Sequence, residues 1–367
     1  MREISLGDCA PNAAELLNRL STRLKRHMVI TDAQADAIAL WILHTYVYQR
    51  FDHTPRLAII SPQKRCGKST LLELLELLCC NPLHTDSTSE AALYRTVDSQ
   101  GAVTLLVDEM DSFMMNQSGV GNVLNSGFKF SGTTMRCVKA NDDHAPKKFR
   151  TFCPIALASI GDLSDTVMDR SVVIRLRRKT DQETVERIRP HRDSIKQDGE
   201  AIAAWAKDVD LSQHLDPSMP DTFGDRQADI SVVLLALADL AGGEWPERAR
   251  AALADLFHSA EEESDAAKLL ADIRAIFAEA DADKLSSGAI CAALVTLEHR
   301  PWVEFRGGAA ISKPQLASLL APFGISPINI RIGQDVVKGY ERAAFADAWL
   351  RYLPSETDKE GGPDIAA

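Results

Sequence analysis

The sequence predicts an α/β fold, a parallel sheet with flanking helices, on three observations. Short apolar runs alternate with helical segments from Arg56 to about residue 180; a Gly-Lys-Ser triplet stands directly between one such run and a helix; and a second run ends in two adjacent acids. Apolar runs of strand length separated by helical stretches are the pattern of parallel strands joined by crossover helices.

Taken in order, residues 12–50 place apolar side chains at helical spacing (Leu16, Leu17, Leu20, then Ala35, Ile38, Trp41, Ile42), with Thr31 as an N-cap. They predict a helical module over 1–55. The core over 56–180 contains the expected strands Leu57–Ile60, Val103–Val107, Ile155–Ala158 and Val172–Leu176. A helical lid is expected over 181–260, ending in helices Ser231–Leu240 and Pro246–Phe257. Over 261–354 the expected order is helix (Leu269–Ala280), helix (Ser287–Leu297), helix (Lys313–Ala321), a tight turn, a short helix from Pro327 and a wing at Val336–Arg342. That is the order of a winged helix-turn-helix. The tail 355–367 has the composition of a disordered segment.

The bulk properties exclude several classes. A chain of 367 residues has material for two or three modules, and 45% hydrophobic with 25% charged residues is ordinary for a globular protein. The first residues show no apolar signal region, and the most apolar stretch, Ala39–Val47, is short and holds Trp41, His44 and Tyr46. A cytoplasmic protein with no membrane contact is expected. The seven cysteines form no CxxC pair and no HExxH is present, so reduced thiols are expected rather than a metal centre. A net charge of −11 argues against a basic coat for nucleic acid. The charge is uneven, however. Arg170–Arg192 holds eight basic residues against three acidic ones, whereas Ser259–Asp283 is acidic and rich in alanine.

The segment Ser61–Thr70 (SPQKRCGKST) follows the first strand and precedes the helix-forming run LLELLELL, the context of a phosphate loop. The contact set is Ser61, Pro62, Lys64, Arg65, Cys66, Gly67, Lys68, Ser69 and Thr70. Amides around Arg65–Lys68 and the positive end of the helix suit phosphate oxygens; Lys68 reaches the β- and γ-phosphates and the Ser69 hydroxyl ligates Mg²⁺. The usual first glycine is Ser61, so the entry to the loop must be shaped differently. A chance triplet after a strand is the bland alternative.

Val103–Asp108 ends in Asp108-Glu109, where Asp108 is expected on the metal and Glu109 on the attacking water. A strand-end turn with two solvated acids is the alternative. Ser159, at the end of the next strand, is a candidate polar sensor for the γ-phosphate or merely a turn residue. Arg170 stands at a helix end before a strand, the place of an arginine finger acting across a subunit interface, or else of a surface pair with Asp169. A finger in trans requires an oligomer, and a hexameric ring is expected. Arg226 opens the lid and either points back at the γ-phosphate or pairs with Asp225 or Asp229.

Taken together, TPRLAIISPQKRCGKSTLLELL, VTLLVDEMD, PIALASIGDLSDTVMDRSVVIRLRRK, DRQAD…LLALADLAGGEWPERAR and LAPFGISPINIRIGQDVVKGYERAAFADAWLRYLP resemble one domain family of unknown function, over roughly residues 12–354. Its members occur alone or behind primase-type domains in plasmid, prophage and integrative-element proteins. The resemblance implies an AAA+-like P-loop ATPase, presumed to be a replicative helicase, using ATP and Mg²⁺. The family's phosphate loop also opens Ser-Pro. No primase module is seen here, so a separate primase or replication protein is an expected partner.

Two segments are candidates for single- or double-stranded DNA. Met135–Arg150 reads as a hairpin around Asn141-Asp142-Asp143, carrying Lys139, Lys147 and Lys148; such hairpins project into the pore of superfamily 3 ring helicases, though ordinary surface lysines look the same. In the winged region the candidates are Asn329, Arg331, Lys338, Tyr340 and Arg342, on a domain that can equally serve protein contacts. The sequence therefore supports an ATP-driven motor on DNA, a helicase or helicase loader. The alternative is an ATP-controlled regulatory or defence switch working through the winged domain without unwinding.

Overall fold

The computed structural model describes residues 12–61, 65–85, 89–108, 125–140, 143–161, 163–180, 182–262, 265–297, 300–305, 309–333 and 335–353. The chain forms two compact units, Met1–Phe257 and His258–Ala367.

The first unit opens with α1 (Ala13–His27) and α2 (Asp32–His44), each started by a capping box. Asn12 with Glu15 and Thr31 with Gln34 exchange side-chain and backbone bonds, satisfying amides that a helix start leaves unpaired. The five strands β1 (Arg56–Ser61), β2 (Pro82–Thr85), β3 (Thr104–Val107), β6 (Ile155–Ile160) and β7 (Ser171–Arg175) form one sheet in the order β2-β3-β6-β1-β7, every neighbour parallel. Between β3 and β6 the chain builds a separate hairpin, β4 (Thr133–Ala140) and β5 (Asp143–Arg150).

Helices α3 (Lys68–Leu78) and α4 (Glu90–Gln100) follow β1 and β2, and α5 (Asp165–Met168) is one turn before β7. Three longer helices follow, α6 (Arg192–Asp208), α7 (Asp225–Ala241) and α8 (Trp245–Glu262). One hydrophobic core holds Leu16 and Trp41 of the first helices, Ile59 and Ile174 of the sheet, Leu72 of α3, and Ile202, Leu235 and Leu253 of α6–α8. The close approach of α3 and α6 depends on Gly199, where a Cβ would come within 2.6 Å of the Leu77 carbonyl.

The second unit contains α9 (Asp265–Glu279), β8 (Lys284–Ser286), α10 (Ser287–Val295), α11 (Lys313–Leu320), β9 (Ile328–Ile332), β10 (Asp335–Glu341) and α12 (Ala346–Tyr352). Its sheet is antiparallel in the order β8-β10-β9. A short helix was expected from Pro327; the chain instead extends. Ile328, Ile330 and Ile332 alternate with polar residues and are β-branched, a combination that favours a strand over a helical turn. Among the described residues no helix is long and apolar enough to cross a membrane.

Candidate functional site

Parallel strands bring their carboxyl ends to one edge of the sheet, and here β1, β6 and β3 lie side by side. Ser61 stands level with Ile160, and Val107 with Leu157, so Asp108 emerges at the same edge as the loop that leaves Ser61. The crevice outside such an edge is where open α/β sheets take their ligands.

The described part of the loop holds two residues in the left-handed region. Arg65 (φ +68°) and Gly67 (φ +95°), separated by Cys66, both adopt it before α3 begins at Lys68. Left-handed residues alternating in this way turn successive amides toward a common centre. Lys68 Nζ donates to Ser61 Oγ at 2.7 Å, so the serine that replaces the usual glycine holds the loop's own lysine.

A cavity of about 680 Å³ opens at this point. Its walls include Arg65, Cys66, Gly67, Lys68, Ser69 and Thr70 from the loop and Asp108 from beyond β3. The fold therefore gathers most of the residues singled out from two separate sequence segments. Ser159 is buried (1% exposed) and is not among the lining residues; its neighbour Ile160 is. Pro62, Lys64 and Glu109 lie outside the described residues.

Sequence reasoning missed the rest of the wall. His27, Met28 and Val29 at the end of α1, and Arg177, Lys179 and Val185 beyond β7, all face the cavity. Met28 Cε lies 3.6 Å from where a Cβ on Gly67 would be. The two wall segments are tied together: Glu186 N–H donates to the Arg26 carbonyl (3.0 Å), and Arg26 Nε pairs with Glu186 Oε1 (2.8 Å). Arg177 pairs with Glu183 at 2.9 Å and Lys179 Nζ donates to the Glu183 carbonyl at 2.9 Å, which fixes two cations beside the cavity. The run of basic residues after β7 was the one available signal.

Arg170 and Arg226 are not at this edge. The Arg56 N–H donates to the Arg170 carbonyl at 2.9 Å, so Arg170 stands at the entry of β1, about 17 Å of strand from Ser61. Arg226 joins it there, donating to Asp169 (3.2 Å) and Asp229 (2.9 Å). The Asp229 pair is the alternative the sequence left open. Both guanidiniums lie over the Phe128 ring, at 5.8 and 5.3 Å from its centroid. Beneath them Arg56 is buried, donates to the Cys153 carbonyl at 2.6 Å, and has its pKa lowered to about 10, chiefly by burial.

The DNA candidates divide. On β5, Lys147 reaches toward Asp98 of α4 (3.9 Å) and covers the Phe149 ring, while its register partner Arg136 pairs with Glu90. Lys148 is exposed on the other face, opposite Met135. Lys139 pairs in register with His144, and its side chain lies outside the described residues, as do Asn141 and Asp142. On the second unit Asn329, Arg331 and Lys338 share one exposed face, since Asn329 is opposite Lys338 and Arg331 is two residues along. Arg342 is exposed as well, whereas Tyr340 is a core residue, 1% exposed and beside Phe345.

The fold and its ligand edge define a mixed α/β protein with helices flanking a parallel sheet. Residues 175–352 match the family described as "Protein of unknown function (DUF3631)", and that domain is present in the chain. It is 36% identical over 187 residues to an uncharacterized 28.9 kDa protein in the xis 5′ region of Saccharopolyspora erythraea, spanning 49% of this chain and 69% of that one. Among solved structures it is similar to the apo C-terminal region of NrS-1 (13% identity, TM-score 0.39, 90% of this chain and 74% of that one). It is also similar to the JCV helicase (14% identity, TM-score 0.27, 67% and 73%).

Proposed function

We propose that the protein is an oligomeric motor that hydrolyses Mg²⁺–ATP and acts on DNA, as a helicase or helicase loader in mobile-element or phage replication. The observation that carries this reading is the single cavity at the carboxyl edge of β1, β6 and β3, which joins the left-handed loop and Lys68 to Asp108. A concave site that offers backbone amides, an ammonium, a hydroxyl and a carboxylate suits a triphosphate with its metal.

Ser69 and Asp108 are the residues that would hold magnesium, which when bound neutralises charge on the phosphates. Lys68 exchanges its bond to Ser61 for phosphate oxygens. Glu109 is assigned to polarising the attacking water. Arg170, remote from its own chain's cavity, acts as the finger of a neighbouring subunit, which is why an oligomer is part of the proposal. The order helix, strand, two helices and a hairpin in the second unit supports a winged helix-turn-helix, with Asn329, Arg331 and Lys338 toward DNA phosphates.

The test is Mg²⁺-dependent ATP turnover and oligomer mass, each with and without single-stranded DNA. Turnover that DNA stimulates and that falls about 100-fold or more in Lys68→Ala is expected. Equal turnover in Lys68→Ala removes the cavity from the reaction. Turnover indifferent to every DNA, with DNA still bound, favours an ATP-controlled switch over a motor.

A further inference from the structure

The end of α1 contributes a side chain whose hydrogen bonding is incomplete. His27 is buried (2% exposed), and its Nδ1 lies 2.9 Å from the Glu186 carbonyl. A carbonyl can only accept, so in the neutral ring the proton sits on Nδ1 and Nε2 is left as a bare acceptor. Among the described residues that Nε2 has no partner. A buried acceptor without a donor carries a desolvation cost; His27 lines the cavity while Nε2 itself is buried, so a donor arriving with a ligand would meet it on a small shift of the wall.

The surroundings narrow the ligand. His27 belongs to the same cavity as the phosphate loop, next to Met28 and Val29 and across from Val185. Apolar side chains with one buried acceptor suit a flat aromatic base bearing an amine. Met28, packed against Gly67, places this patch immediately beside the loop. The acceptor is held in place from behind: the Glu186 carbonyl fixes the tautomer, and Glu186 is itself tied to Arg26 and to His191 Nε2 at 2.7 Å.

We infer that His27 Nε2 accepts a hydrogen bond from the 6-amino group of adenine and so selects ATP over GTP, whose carbonyl oxygen at that position would face a lone pair. This inference rests on the nucleotide reading of the cavity above. It assigns the choice of base to a residue that lies well before the phosphate loop in sequence, in a helix that no nucleotide motif contains.

The experiment measures Kd for ATP, GTP and purine riboside triphosphate, which lacks the 6-amino group, in the presence of Mg²⁺. Wild type, His27→Leu, His27→Gln and Lys68→Ala are compared, with circular dichroism melts confirming that each is folded. Wild type is expected to bind ATP about 10-fold more tightly than either analogue, as sites built around a polar group do. His27→Leu should bring the three within about twofold. His27→Gln, whose amide oxygen can accept, should keep part of the preference. Lys68→Ala should weaken all three alike. Equal binding of the three nucleotides by wild type, or a preference unchanged in His27→Leu, overturns the assignment while leaving the phosphate site standing. Absence of any nucleotide binding overturns both.

Discussion

The two edges of the parallel sheet carry similar residues in opposite circumstances. At the carboxyl edge, Lys68 and Asp108 line a cavity, and the lysine donates to the Ser61 hydroxyl. At the entry edge, Arg226 is matched by Asp169 and Asp229, and Arg170 donates to the Thr166 carbonyl and lies over Phe128. One edge places an ammonium and a carboxylate on the wall of a cavity within the same chain. The other secures its arginines in a fixed, partly exposed cluster, which suits presentation to a second molecule rather than to the cavity of their own chain.

The largest expected effect tests that contrast. Arg170→Ala should lower ATP turnover by about 100- to 1,000-fold while leaving nucleotide Kd nearly unchanged, because a finger acts on the transition state. Mixing Arg170→Ala with Lys68→Ala protein should restore part of the activity, since hybrid interfaces then pair an intact cavity with an intact arginine. No recovery on mixing, or a matching loss of affinity, places Arg170 in some other role.

A smaller effect is expected at the two hairpins. Arg331→Ala with Lys338→Ala removes two exposed cations and should weaken DNA binding about 10-fold at low salt, with a shallower salt dependence. Lys147→Ala removes a lysine already near Asp98 and should change affinity by about twofold at most. The reverse ranking in a fluorescence-anisotropy titration would move DNA recognition to the β4–β5 hairpin.

An effect on stability rather than on activity concerns the entry edge itself. His44 is buried, its Nε2 bonded to Thr54 (2.9 Å) just before β1, and burial lowers its pKa from 6.5 to about 3. The unfolded chain therefore binds a proton there that the folded chain refuses. Stability should fall as pH drops from 6.5 toward 3, by up to about 1.4 kcal/mol per pH unit from this one group. Urea melts of wild type and His44→Gln at pH 7 and pH 5 check it; an equal acid-induced loss in both excludes His44 as the cause.

Much of this architecture was legible in the chain. The four expected strands form, all parallel, because each is a short apolar run buried on both faces. Thr31 caps α2 as expected, and Gln34 completes a capping box with it. The loop and Asp108 meet at one cavity because strand direction alone carries them to one edge. Local pattern could not supply the other wall. His27, Arg177 and Val185 come from segments flanking the sheet in sequence, and only the packing of α1 against the stretch after β7 brings them together. The strand Ile328–Ile332 departs from the expected helix for a related reason: a proline after a turn resembles a helix start, and the isoleucine alternation that overrides it is only five residues long.

The bond from Lys68 to Ser61 changes what arrival of a ligand means at this loop. A glycine at position 61 would leave the ammonium to water, and a phosphate would first have to strip that hydration. Here part of the stripping has been done by folding, and the lysine rests on the strand that launches the loop. If the cavity takes a triphosphate as proposed, capture would exchange the Lys68–Ser61 hydrogen bond for one to a phosphate oxygen. On the nucleotide reading proposed above, Ser61 would be the point at which β1 meets that exchange of donors.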